Sequence, residues 1–369
     1  MGTQALDILA LHRDRFEPVL LAAHRSAEVL SDQCARFTPR SACLTGSVEP
    51  PELPAATTWF HGQAGLIEAL ERSEADTVLN AITGAAGLAA SEWTLRQGRT
   101  LALANKESLV IAGEYLMRLA RDHGAVILPV DSEHCAIAQC LHGESLAAVR
   151  RIWLTASGGP FRARPLDTFA AITTAEALRH PTWDMGPRIT IGSATMMNKA
   201  FEVIEAHWLF DLPPDAIEIA IHPQSIVHSL VEFVDGSMLA QCGIPDMRVP
   251  ILYCLGYPDR LPFPFEPFDF ARWRNLEFEP CDRARYPAVE LAYGVLASGG
   301  DAGARLNAAD EVATQAFLDG NIPFPAIVDT SRRVLADRPP RRIASLADAL
   351  AADAEGRHLA ARAVATTPA

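Results

Sequence analysis

The feature that most constrains this chain is a recurrence of short apolar runs in its first 131 residues. They fall at 18–23 (PVLLAA), 77–82 (TVLNAI), 100–104 (TLALA) and 125–130 (AVILPV), with helix-like stretches between them. A strand buried on both faces reads as a continuous apolar run, and parallel strands need a long crossover between them. The pattern predicts an α/β class with a parallel sheet covered by helices. The chain opens on a helix already under way, with Leu6, Leu9 and Leu11 as apolar positions. Ligands of such sheets lie beyond the carboxyl ends of the strands. The residues that follow each run are therefore the first candidates for chemistry.

Those residues are polar. His24, Arg25 and Ser26 follow the first run. In a dinucleotide fold an arginine there accommodates the 2′-phosphate of NADP, where an acidic residue would hold the ribose of NAD; alone, Arg25 reads equally as a surface residue. G-A-A-G at 84–87 makes a small-residue turn. Asn105, Lys106, Glu107 and Ser108 follow the third run and look like the rim of a site. Asp131, Ser132 and Glu133 follow the fourth. In extended backbone the i,i+2 spacing points both carboxylates to one side. Two like charges that close either raise a pKa or bind a cation.

A third carboxylate comes from 193–209 (SATMMNKAFEVIEAHWL), which reads as one helix. Met196, Ala200, Val203, Ile204 and Trp208 take its core face. Ser193 caps its start. Asn198, Lys199, Glu202 and Glu205 take the other side, by itself an exposed face with a weak ion pair. Beside Asp131 and Glu133, however, Glu202 completes a set of hard oxygen ligands suited to Mg²⁺ or Mn²⁺ and unlike a thiolate zinc site. A strand at 151–155 runs into Ala156, Ser157, Gly158 and Gly159, whose hydroxyl and open backbone N–H groups suit a phosphate. Ser193, Asn198 and Lys199 would complete that pocket. The proline-punctuated stretch 180–186, carrying Trp183 and Met185, reads as a flap over a ligand.

Strands at 217–222, 225–233 and 237–241, with an Asp235-Gly236 turn, predict a hairpin in an α+β second domain. The proline- and aromatic-rich stretch 257–281 reads as an ordered linker. The alanine-rich remainder reads as a small helical domain with a structural role. Composition narrows the partners. A net charge of −13 makes nucleic acid and anionic membrane poor ones. No apolar run is long enough to span a bilayer, and the N-terminus has no signal-peptide pattern. Seven scattered cysteines without a C-x-x-C suit a reducing cytoplasm.

Seven motifs, in order, resemble the 1-deoxy-D-xylulose 5-phosphate reductoisomerase family over essentially the whole chain. They are ANKES at 104–108, PVDSEH at 129–134, SGGPFR at 157–162, HPTWDMG at 180–186, SATMMNK at 193–199, HPQS at 222–225 and LNAADE at 306–311. The resemblance implies a Rossmann-like NADPH-binding domain over 1–131, an α+β catalytic domain over 132–256, a linker over 257–283 and a small C-terminal helical domain over 284–369. It implies an NADP-dependent oxidoreductase that also needs Mg²⁺, Mn²⁺ or Co²⁺. Such an enzyme isomerises 1-deoxy-D-xylulose 5-phosphate and reduces the product to 2-C-methyl-D-erythritol 4-phosphate, in the non-mevalonate isoprenoid pathway. A cytoplasmic homodimer is implied, with a phosphosugar as partner and neither nucleic acid nor membrane.

Carried over by motif, Asp131, Glu133 and Glu202 would hold the metal. Ser157, Ser193, Asn198 and Lys199 would hold the substrate phosphate. Lys106 and Ser132 would touch the sugar hydroxyls, and His180 and Trp183 would come from the flap. Lys106, Glu133 and His180 would form the catalytic set, with Glu133 and Glu202 also facing substrate. Gly2, His24, Arg25, Ser26, Asn105, Glu107 and Gly186 would line the NADPH path.

Three departures accompany the resemblance. The family opens with a strand and a G-S-T-G-S-I-G loop for the NADPH pyrophosphate, and Met1 and Gly2 align with only the last two positions of that loop. Gly192 stands where the family has Asp, and Ala156 where it has Gly. From the first departure we expect open strand edges in the parallel sheet and weak NADPH binding, with a start codon placed too late, or else a real truncation, as the cause. Two rival readings remain in view. One is a non-catalytic or impaired relative that keeps the metal and phosphate site. The other is a metal-dependent phosphosugar enzyme without redox chemistry, against which Arg25 and Ser26 speak.

Overall fold

The computed structural model describes residues 1–46, 49, 51–179, 186–266 and 268–367. In chain order the first elements are α1 (Gly2–Leu11), β1 (Leu20–Ala23), α2 (Ala27–Phe37), β2 (Ser41–Leu44), β3 (Thr58–His61), α3 (Gly62–Ser73) and β4 (Thr77–Asn80). There follow α4 (Leu88–Arg96), β5 (Thr100–Leu103), α5 (Lys106–His123), β6 (Val126–Pro129), α6 (Ser132–Cys140), β7 (Val149–Ala156), α7 (Thr174–Ala177), α8 (Pro187–Ala194) and α9 (Met197–Phe210). The remainder is β8 (Ile217–Ile221), β9 (Val227–Phe233), β10 (Met238–Cys242), α10 (Arg248–Gly256), β11 (Glu279–Pro280), α11 (Ala288–Ser298), α12 (Ala302–Leu318), α13 (Ala326–Ala336) and α14 (Leu346–Ala365). These elements form two compact units. One holds Met1–Asn105, Arg118–Val130 and Met247–Pro264; the other holds Lys106–Met117, Asp131–Asp246 and Phe265–Ala369.

In the first unit all strand pairing is parallel, as the apolar runs predict. The strands form two sheets, ordered β1-β2-β3 and β4-β5-β6. Among the described residues β1 pairs only with β2, and β4 only with β5, so each leaves an edge. One apolar cluster serves both sheets: Cys43, Phe60, Leu66, Leu70, Ala90 and Trp93 are buried together, with Leu20 of β1 and Val78 of β4 against them. Two strands, β2 and β3, escape the sequence reading. β2 (SACL) is buried but carries a serine and small side chains in place of an aliphatic run, and in β3 the exposed Thr58 and His61 break the apolar run.

The second unit is built on a mixed sheet ordered β10-β9-β7-β8-β11. β7 runs parallel to β8 and antiparallel to β9. The predicted hairpin joins β9 to β10. At its turn Asp235 Oδ1 accepts from the Ser237 amide at 2.9 Å, and Gly236 takes φ +86°, a value that favours glycine. Ile152 and Leu154 of β7, Ile219 of β8 and Val231 of β9 share one core with Ala200, Phe201, Val203 and Ile204 of α9. The predicted C-terminal helices are α11 to α14.

The stretch 193–209 is not one helix. α8 ends at Ala194, Met196 takes a left-handed conformation (φ 61°, ψ 17°), and α9 begins at Met197. Thr195 makes the break: its hydroxyl donates to the Ile191 carbonyl at 3.0 Å and lies 3.3 Å from the Met197 amide that it accepts. Such side-chain bonds compete with the helical ladder. Ser193 therefore lies in the last turn of α8 and does not cap α9. The bland reading of this side as an exposed face also fails, because Lys199, Glu202 and Glu205 are all buried.

Candidate active site

The second unit brings the predicted carboxylates together, by a different backbone route from the expected one. Asp131 stands at the N-cap position of α6 (φ −57°, ψ 132°) and Glu133 lies in the first helical turn. They converge because a helix starts there, not because the backbone is extended. Glu202 and Glu205 project from α9, and Lys106 opens α5. One carboxylate oxygen from each of Asp131, Glu133 and Glu202 lies within 4.8 Å of the others.

Two ammonium groups sit among these acids. Lys106 Nζ is 2.8 Å from Asp131 Oδ2 and 3.1 Å from Glu202 Oε1. Lys199 Nζ is 2.8 Å from Glu133 Oε1 and also contacts Glu202 Oε2. The Ser132 hydroxyl donates to Glu133. Burial pulls the Lys106 ammonium down, but Asp131, Glu202 and Glu205 outweigh it and hold it well above the usual lysine range. Burial likewise pushes Asp131 and Glu133 up, while Lys106 and Lys199 hold them below their ordinary values. Burial and the facing Glu133 charge push Glu202 up to about 7. Burial also drives Glu205 well above the carboxylate range. The cluster thus carries more acids than its two lysines neutralise, the condition under which a dication is attracted.

A second possible ligand group shares Asp131: His134 Nδ1 lies 4.0 Å from Asp131 Oδ2 and 3.8 Å from Glu205 Oε2. His134 Nε2 donates to the Glu202 carbonyl at 2.9 Å, which leaves Nδ1 unprotonated on the side facing those acids. Asp131 Oδ2 is the same oxygen that Lys106 contacts. Ammonium groups also contact Glu133 Oε1 and both Glu202 oxygens of the first group, so donor chemistry and not charge separates the two: three carboxylates suit a hard dication better than a set containing an imidazole. Sequence reading gives His134 no role and places Glu205 only on the polar side of the helix, at i,i+3 from Glu202.

The candidate phosphate residues lie around one backbone contact. Gly158 and Gly159 take φ +81° and +66°, and a Cβ on Gly159 would stand 2.7 Å from the Ser193 carbonyl oxygen. The Gly159 amide donates to Ser157 Oγ at 3.2 Å. Asn198 donates to the Ile189 carbonyl at 2.8 Å, and its Oδ1 would be 2.4 Å from a Cβ on Gly192. The glycine at 192 is therefore matched to this asparagine position. Lys199 turns toward Glu133 and Glu202. Ala156 ends β7, and its carbonyl accepts from the His222 amide at 2.7 Å. The HPQS motif is a corner: His222 Nδ1 donates to the Glu277 carbonyl at 2.7 Å and Nε2 accepts from the Ile226 and Val227 amides at 3.2 Å.

Of the residues implied for NADPH, five belong to the first unit. Gly2 opens α1, Ser26 stands at the N-cap of α2, and His24 Nδ1 pairs with Thr45 Oγ1 at 3.0 Å. Arg25 is exposed. Asn105 is buried and donates to the Gly84 carbonyl at 3.0 Å, and Gly87 has room for no Cβ beside it (2.9 Å to Asn105 Cγ). The other two, Glu107 and Gly186, belong to the second unit. His180, Trp183 and the rest of the expected flap up to Met185 lie outside the described residues.

A further charged node adjoins Lys106. The Arg188 guanidinium lies 2.8 Å from Glu107 Oε1, 2.9 Å from Glu311 Oε1 and 3.9 Å from Asp310 Oδ2, and donates to Asn307 Oδ1 at 3.1 Å. Glu311 also contacts Arg357, which holds Asp353 at 2.6 Å. The LNAADE motif supplies three of these groups. Sequence reading gives it a structural role only, because nothing in its spacing reveals an arginine on α8.

Comparison with known proteins gives a consistent picture. The family model described as 1-deoxy-D-xylulose 5-phosphate reductoisomerase matches residues 1–113. Models for its C-terminal domains match residues 127–210 and 242–359. A relative from Burkholderia multivorans, named 1-deoxy-D-xylulose 5-phosphate reductoisomerase, is 48% identical over 100% of this chain and 95% of its own length. The structure of such an enzyme from Zymomonas mobilis in complex with NADPH aligns with TM-score 0.91 at 41% identity, covering 99% of this chain and 96% of that one. A DOX-P reductoisomerase structure in complex with NADPH, fosmidomycin and magnesium aligns with TM-score 0.92 at 35% identity, covering 99% and 95%.

Proposed function

The chain belongs to the 1-deoxy-D-xylulose 5-phosphate reductoisomerase family, and from that premise we propose how its residues serve that reaction. The enzyme isomerises 1-deoxy-D-xylulose 5-phosphate and reduces the product to 2-C-methyl-D-erythritol 4-phosphate, with NADPH and a divalent cation. The observation that carries the reading is the convergence of Asp131, Glu133 and Glu202 in a chain similar to its relatives from end to end. That similarity does not favour an impaired relative.

Asp131, Glu133 and Glu202 would hold Mg²⁺, with Mn²⁺ or Co²⁺ as alternatives. The bound dication supplies polarisation of the substrate carbonyl, and NADPH supplies the hydride. Lys106, held charged between Asp131 and Glu202, presents a donor to a substrate oxygen. Ser132 orients Glu133 through its hydroxyl. Lys199, once Glu133 and Glu202 are neutralised, is a charged donor for the phosphate alongside Ser157, Ser193 and Asn198. His180 and Trp183 would exclude water from the reacting carbons. Gly2, His24, Arg25, Ser26, Asn105, Glu107 and Gly186 would line the NADPH path, with Arg25 on the 2′-phosphate. The functional division would be 1–131 for NADPH, 132–256 for catalysis, 257–283 as linker and 284–369 as helical domain. We also infer a cytoplasmic homodimer. The seven cysteines are all free thiols, which suits a reducing compartment.

Asp131→Asn and Glu202→Gln should each abolish Mg²⁺-dependent oxidation of NADPH, followed by absorbance, while the fold survives. Near-normal turnover by either variant at ordinary Mg²⁺ would overturn the metal assignment.

A further inference from the structure

The segment of α5 that carries Lys106 is short and semi-detached. Ala112 leaves the helical conformation (φ −140°, ψ 34°), so residues 106–111 are not held straight by the rest of the helix. Their position has to come from what they touch. One turn beyond Lys106 the Val110 carbonyl oxygen lies so close to α12 that a Cβ on Gly303 would meet it at 1.9 Å. At the start of the segment the contact is electrostatic. Arg188 Nη1 holds Glu107 Oε1 and Glu311 Oε1, at 2.8 and 2.9 Å, while Nη2 meets Asn307 and faces Asp310.

We propose that Arg188 is a positioning residue for the active site: it ties the first turn of α5, through Glu107, to α12, and so sets where Lys106 meets Asp131 and Glu202. This rests on the functional reading above. The guanidinium fork suits the task, because it can meet several acceptors at once in a fixed plane, where an ammonium is a single point charge. Without it, the carboxylates of Glu107, Asp310 and Glu311 would face one another with little water between them, since all three residues are mostly or wholly buried. Their repulsion would push the first turn of α5 away from α12. Lys106 is the neighbour of Glu107 in that turn and would move with it. The LNAADE motif thereby acquires a role beyond packing: its polar groups are the fixed end of the tie.

The test uses the full chain and three variants, Arg188→Met, Arg188→Lys and Glu107→Gln, with the double variant R188M/E107Q. In wild type and variants we would measure kcat and KM for the phosphosugar at saturating Mg²⁺ and NADPH. Amide hydrogen exchange over 106–111 and the rate at which a lysine-directed reagent labels Lys106 would be followed by mass spectrometry. Arg188→Met should lower kcat by about 10- to 100-fold, as expected for a misplaced group, with KM changed by less than about threefold. It should also speed both exchange and labelling. Arg188→Lys should restore part of each. The double variant should be no worse than either single change, because both cut one tie. Should Arg188→Met fail to fold, Glu107→Gln carries the same expectations. Wild-type kcat with unchanged exchange in the variants, or fully additive losses, would overturn the proposal. A wild-type chain that does not turn over the phosphosugar would instead overturn the functional reading; exchange and labelling would still decide on Arg188.

Discussion

Lys199 and Asp310 illustrate how burial changes what a side chain can do. Lys199 is buried between Glu133 and Glu202, and a dication on those carboxylates would free its ammonium to meet the substrate phosphate. Lys199→Ala should therefore be severe for the phosphorylated sugar and slight for the sugar without phosphate, the contact being on the order of 1.5–3 kcal/mol. Equal losses on both substrates would make Lys199 structural. Asp310 is pushed up to about 6, first by burial and then by Glu311 and Glu107, against the pull of Arg188. Its folded pKa is above the unfolded value, so it stabilises the fold fully below about pH 4, and that contribution is lost as pH rises through about 6. The whole effect is about 3 kcal/mol. Asp310→Asn should thus gain stability relative to wild type between pH 4.5 and 7.5 in urea unfolding, and a flat difference would refute this. Sequence spacing joined Asp131 to Glu133, and the family resemblance joined Glu202 to them. Neither gave His134 or Arg188 a role or drew Glu205 into the cluster, because their partners are remote in the chain: the His134 ring bonds to the Glu202 carbonyl, and Arg188 to α5 and α12.

At the scale of elements, glycines mark where backbones touch. Gly303 presses α12 on the Val110 carbonyl, and Gly159 presses the turn after β7 on the carbonyl of Ser193. Gly303→Ala should lower stability by about 1–3 kcal/mol, the usual cost of overpacking, and lower kcat as well by shifting the first part of α5. Gly159→Ala adds a positive-φ penalty to its clash and should weaken substrate binding more than it lowers the thermal midpoint. A Gly303→Ala protein with an unchanged midpoint and full activity would mean that α12 and α5 can separate freely. Sequence reading found β1, β4, β5 and β6 because each lies in an apolar run, although only β5 is largely buried. It could not find the break at Thr195 and Met196. Both flanking helices have core faces, and a left-handed residue leaves no trace in an apolar pattern.

For the whole molecule, charge and strand edges govern the predictions. The chain carries −13 overall, so salts of any kind will screen self-repulsion. A specific dication site should show itself above that background. MgCl₂ should raise the thermal midpoint, by about 2.7 kcal/mol of stability at a hundred times its Kd. NaCl of equal ionic strength should do less, and Asp131→Asn should lose the difference. Equal effects of both salts would argue against the site. Among the described residues β10 pairs on one side only and exposes Met238 and Leu239, with Val234 exposed at the preceding turn. An open apolar edge invites a second chain. Sedimentation should show a dimer, and Leu239→Lys should shift it toward monomer; a wild-type monomer would exclude the assembly.

The sequence by itself determined the α/β class, the parallel pairing of the first unit, the hairpin at Asp235-Gly236, the family and the identity of the clustered carboxylates. The first three follow from local chemistry, apolar runs and turn residues; the family and its carboxylates follow from the resemblance carried by seven motifs in order. Only the tertiary structure decided that Asp131 and Glu133 meet through a helix start and that two lysines lie among the acids. It alone decided that the face of α9 carrying Lys199, Glu202 and Glu205 is buried, and that Arg188 joins α5 to α12. Those outcomes depend on which segments pack together, and the charge state of a buried group is set by neighbours that the sequence keeps far apart.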